Sequence, residues 1–97
     1  VTRLEQRYNR EALAQARKTF NEAQKVARTT YQEAMSKART DFEAAAKQAK
    51  AESSTEKLTA AREAFRQAKQ AARTIYGAAR KEARTTLAAA RKAALLK

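Results

Sequence analysis

The sequence contains no cysteine, histidine, tryptophan or proline, and a single glycine in 97 residues. Without cysteine there is no disulfide and no thiol nucleophile. Without histidine there is neither imidazole acid–base catalysis nor a zinc-finger ligand set. One glycine is too few for a P-loop or a dinucleotide-binding loop, whose tight turns take several. Strand-rich folds need a turn roughly every 8–12 residues and β-branched or aromatic runs, and neither occurs. Large apolar residues are scarce as well. Alanine fills 26 of the 42 hydrophobic positions, leaving six Leu, three Phe, three Tyr, two Val, one Ile and one Met. That is little core for a chain below about 100 residues, where a single core is already marginal. No run approaches the ~18 apolar residues of a membrane span, and no secretory signal pattern is read at the start.

Alanine, arginine, lysine, glutamate and glutamine dominate instead, the residues that lose least on entering a helix. They are arranged in a repeat. Residues 16–26 read ARKTFNEAQKV, 27–37 ARTTYQEAMSK and 38–48 ARTDFEAAAKQ. The frame returns as AREAFRQAKQA at 61–71, ARTIYGAARKE at 72–82 and ARTTLAAARKA at 83–93. Each 11-residue copy carries Ala at position 1, Arg at position 2, a large apolar residue at position 5 and Ala at position 8. Residues 11–48 align with 56–93, an internal duplication.

Eleven residues in three turns is about 3.67 per turn, so such helices run nearly straight or supercoil weakly to the right. Positions 1, 5 and 8 then share one apolar stripe. Between the halves, AESSTEK lacks large apolar residues, and Ser53 with Glu56 fits a capping box that starts a new helix. The pattern predicts an all-α protein of one helical domain, 1–97: an antiparallel hairpin with a helix over about 3–50, a turn about 51–55 and a helix over about 55–96. The competing reading is one continuous helix of about 140 Å. A hairpin sets Phe42 beside Phe65, Tyr31 beside Tyr76, and Phe20 beside Leu87. These six form the expected self-association seam. Two helices bury only one seam each, so a homo-oligomeric four-helix bundle is expected.

The net charge is +12, from 22 basic and 10 acidic residues. Residues 57–97 carry +9 and residues 1–48 carry +4. Arg17, Arg28, Arg39, Arg62, Arg73 and Arg84 occupy position 2, on the shoulder of the stripe and recurring about every 16.5 Å along the axis. With Lys69, Arg80, Lys81, Arg91 and Lys92 they are the candidate binding residues for nucleic acid or another polyanion. The plainer reading is that the arginine stems cover the seam's edges while their heads stay in water. Arg39 with Glu43 is the clearest helical ion-pair spacing. Tyr31 and Tyr76 lie on the stripe and read as core rather than base-stacking platforms, whereas Tyr8 stands off the frame. Glu22 and Glu33 lie one repeat apart, too far to share a catalytic site. Threonines beside the stripe suggest an ice-binding face, but an arginine interrupts it in every copy. A bilayer-surface role needs a wide, bulky apolar face, and only Leu95 and Leu96 near the end supply one.

The A-R-T-T-aromatic-x-x-A frame over residues 16–48 and 61–93 resembles the alanine-rich helical repeats of uncharacterised bacterial secreted or envelope-associated proteins. More loosely, it is similar to the 11-residue repeats of late-embryogenesis-abundant proteins, from which it departs in its regular aromatics and unbalanced charge. The first resemblance implies a spacer, stalk or assembly role outside the cytoplasm. The expected function is non-enzymatic: a self-assembling scaffold, with no cofactor, metal or small-molecule substrate. The alternatives are polyanion binding, which would place it in the cytoplasm or nucleoid, and then anionic membrane-surface binding.

Overall fold

The computed structural model describes residues 9–95. Two helices account for nearly all of them: α1, Arg10–Ala51, and α2, Thr55–Ala93, joined as a helical hairpin. The chain is thus all-α and turns back on itself rather than continuing as one helix. Among the described residues no helix is long and apolar enough to cross a membrane.

Helix α1 begins where Asn9 caps it. The Asn9 side-chain Oδ1 accepts from the Ala12 N–H at 3.1 Å, and its carbonyl accepts from Leu13 N–H at 2.9 Å. The first satisfies a donor that a helix start otherwise leaves unpaired, and the second is the helix's first i to i−4 bond. Residues 3–8 of the expected first helix, Tyr8 among them, lie outside the described residues, as does Leu96.

The break at 52–54 is built from two caps placed back to back. Ser53 N–H donates to the Lys50 carbonyl at 3.1 Å, and Ser54 N–H donates to the Ala49 carbonyl at 2.9 Å. Ser53 itself is left-handed, with φ at 53°. That pattern closes α1 as a Schellman motif, with a serine where glycine is the usual occupant. Ser54 then opens α2, its Oγ accepting from Lys57 N–H at 3.1 Å. The cap therefore falls one residue later than the Ser53/Glu56 capping box expected from the sequence. Ser53 cannot serve both ends, because its backbone is already committed to ending α1.

The chain divides into two compact units. The first, the turn unit, is Arg28–Tyr76. The second, the end unit, comprises residues up to Ala27 together with those from Gly77 onward. Among the described residues, the buried side chains of each unit are alanines at position 1 of the repeat. They are Ala38, Ala49, Ala61 and Ala72 in the turn unit, and Ala16, Ala27, Ala83 and Ala94 in the end unit. Ala49 and Ala94 fall one frame beyond the third and sixth copies and continue the spacing of 11. Methyl-sized side chains at the contact line let the backbones approach to the close end of the usual range, about 8 Å between axes.

Around this line the turn unit stacks rings. Tyr31 meets Tyr76 with centroids 4.9 Å apart, and Phe42 meets Phe65 at the same distance. Those are two of the pairings the 11-residue lattice predicts. All four rings are half-buried, as are Phe20 and Leu87 in the end unit. The end unit is also held by the backbone, Asn9 N–H donating to the Ala94 carbonyl at 2.8 Å.

The third member of the stripe differs from expectation. Position 8 is exposed at Ala23, Ala45 and Ala68, and half-buried at Ala34, Ala79 and Ala90. On α1 position 9 is half-buried instead, at Gln24, Met35 and Ala46, and on α2 Lys69 joins them. Positions 8 and 9 flank the buried alanine on opposite sides, roughly −33° and +65° away at 98° per residue. Which flank turns inward depends on how each helix is rolled against its partner. A single helix's own pattern does not contain that information.

Candidate polyanion-binding face

Position 2 lies about 98° round the helix from the buried alanine, which puts it on the flank, in water. All six position-2 arginines, Arg17, Arg28, Arg39, Arg62, Arg73 and Arg84, are exposed. None of them makes a hydrogen bond or ion pair among the described residues. The Arg39–Glu43 pair suggested by spacing is not formed. The ion pairs that do form use other residues: Lys37 with Asp41 at 3.4 Å, Lys57 with Glu52 at 2.8 Å, and Arg66 with Glu63.

The Arg66–Glu63 contact is a two-point one, with Arg66 Nε donating to Glu63 Oε2 at 3.1 Å and Nη2 to Oε1. Gln67 Nε2 adds a third donor at 3.2 Å. The Arg66 hydrogen bonds hold the Glu63 carboxyl below the usual carboxylate range and push the arginine further up. Exposed pairs of this kind contribute little to stability. Their effect here is to remove Arg66 from the set of free cations.

Lys81, Arg91 and Lys92 are exposed, as is Arg80, which has contacts of its own. Lys69 is the exception among the candidates. It is half-buried, with its ammonium 4.7 Å from the Phe65 ring centroid, a cation–π geometry. Its stem thus covers the seam edge, whereas the six arginines are exposed.

Two features escaped the sequence reading. Ala49 and Ala94 are among the most buried of the described residues, at 1% and 3% exposure, and carrying the frame one residue past 48 and 93 finds them. The Arg66–Glu63 pair has i,i+3 spacing, a signal that was present and unused.

Compared with known proteins, the chain matches no family model, no curated protein and no solved structure. Functional readings rest on its own geometry.

Proposed function

We propose that this protein is a non-enzymatic structural hairpin that binds a polyanion through its arginine ladder. The observation that carries this reading is the set of six position-2 arginines, all exposed and none with an acidic partner among the described residues. An exposed guanidinium with five unspent donors recognises phosphate oxygens two at a time, which an ammonium does not. A +12 chain of 97 residues attracts such partners over distances of about a Debye length.

The test is binding of the whole chain to a labelled duplex of roughly 30 base pairs at about 50 and 200 mM salt. Tight binding at the lower salt, weakening by orders of magnitude at the higher, supports the reading. Absence of binding at low salt overturns it.

A second reading, a scaffold assembling from several copies through the alanine/aromatic seam, is favoured by the rings. Phe20, Tyr31, Phe42, Phe65, Tyr76 and Leu87 remain only half-buried in the hairpin, leaving apolar surface that a second copy would cover. Light scattering of the free protein tests it: a discrete oligomer supports the scaffold, and a monomer at every concentration overturns it.

A further inference from the structure

The antiparallel pairing has a consequence for charge that neither helix shows alone. With position 1 turned into the seam, positions 2, 6 and 9 fall on one flank of a helix and positions 4, 7, 8 and 11 on the other. Two antiparallel helices are related by a two-fold axis perpendicular to the plane they lie in. That operation exchanges the helices and leaves each face of the pair where it was. Equivalent flanks of α1 and α2 therefore lie on the same face.

In the repeat copies of the turn unit, the face carrying positions 2, 6 and 9 holds Arg28, Arg39, Arg62, Lys69 and Arg73 against one acid, Glu43, while Arg66 at position 6 is neutralised by Glu63. The opposite face of the same copies holds Lys37 against Glu33 and Asp41. The end unit divides in the same way. Taken by itself, it carries Arg17, Arg80, Arg84 and Arg91 at positions 2 and 9, and Glu22 and Glu82 at positions 7 and 11. Lys69, at position 9, sits over the Phe65 ring at position 5, which places both on the same flank.

We propose that this face of the turn unit docks on the phosphate backbone of a double-stranded nucleic acid, with the acid-bearing face turned away. The inference rests on the polyanion reading above and names its partner and orientation. Three observations select a duplex. Single strands are held by stacking bases on free aromatic rings, and here Tyr31, Tyr76, Phe42 and Phe65 are spent on one another. Anionic bilayers are held by cations with bulky apolar residues beside them. In the turn unit the exposed bulky residue, Ile75 at 60%, occupies position 4, on the opposite face. A duplex asks only for regularly spaced cations, since it presents one phosphate charge per roughly 1.7 Å of axis. The absence of base-reading elements makes the contact one to the backbone, without sequence preference.

The experiment compares whole-chain variants on the same labelled duplex. Arg28→Gln with Arg73→Gln, both at exposed positions, is expected to weaken binding at least tenfold at about 100 mM salt. It should also lower the slope of log K against log salt by about 1.8. Adding Glu33→Gln and Asp41→Asn on the turn unit's other face restores the net charge of +12. On this proposal, that second step does not restore affinity. Full rescue would show that only total charge matters and overturn the one-face arrangement while leaving polyanion binding intact. Tighter binding to a single strand of equal length, or to phosphatidylserine vesicles, would overturn the duplex as partner. Helicity by circular dichroism, expected to be unchanged, confirms that the variants fold.

Discussion

Between Arg28 and Tyr76 the helices meet through two ring pairs and are tied together by a turn of three residues, Glu52 to Ser54. In the end unit the equivalent repeat positions hold one ring and one aliphatic side chain, Phe20 and Leu87. A backbone hydrogen bond from Asn9 to Ala94 stands where the turn unit has its covalent connection. Among the described residues both units bury the same number of alanines at the same spacing. The comparison therefore isolates what lies around the alanine line. Offset ring pairs add about 0.5–1.5 kcal/mol beyond the area they bury. A short covalent loop also lowers the entropy cost of bringing the strands of chain together. The turn unit has both advantages, and the end unit neither.

The sharpest way to break the comparison is a charge in the alanine line. Ala72→Asp is expected to cost more than about 3 kcal/mol, because a carboxylate there has no partner and no water. It should abolish the cooperative urea transition. Ala83→Asp is expected to release protection in the end unit while amides of residues 28–76 stay protected in hydrogen exchange. Equal loss of protection in both units from Ala83→Asp would refute their independence.

Side-chain truncation probes the same contrast more gently. Phe42→Ala should cost about 2 kcal/mol and Leu87→Ala about 1, both reduced from full-burial values because these side chains are half-exposed. A double-mutant cycle on Phe42 and Phe65 should return a coupling near 1 kcal/mol. A coupling of zero would mean the rings touch without stabilising the hairpin.

The smallest effects belong to the turn. Ser54→Ala removes the α2 cap and is expected to cost about 1 kcal/mol. Ser53→Gly relieves a left-handed residue and should stabilise by up to about 1 kcal/mol. Opposite signs from adjacent serines in urea melts would confirm that each closes a different helix.

Much of this was legible in the repeat. The buried alanines, the two ring pairs and the exposed arginines all follow from a spacing of 11 and a polar break in the middle. What was not legible depends on pairing. Met35 and Gln24 at position 9 became part of the seam through the roll of α1 against α2, a property of two helices. The choice between Ser53 and Ser54 turned on a backbone dihedral, and two neighbouring serines give it no distinct side-chain signal. The segregation of Arg28, Arg39, Arg62 and Arg73 from Glu33 and Asp41 likewise emerges only when antiparallel pairing brings matching flanks to one side.

The alanine line also sets which changes in chain length the fold can absorb. Every fully buried side chain sits a multiple of 11 residues from the others on its helix. Removing a single residue from the middle of α2 would rotate everything beyond it by about 100°. An arginine would then occupy the contact line in each later copy. Removing or adding 11 residues in both helices at once returns every alanine to its place. Lineages carrying this architecture are therefore expected to differ in length by matched whole copies, and single-codon deletions within the helices should be purged.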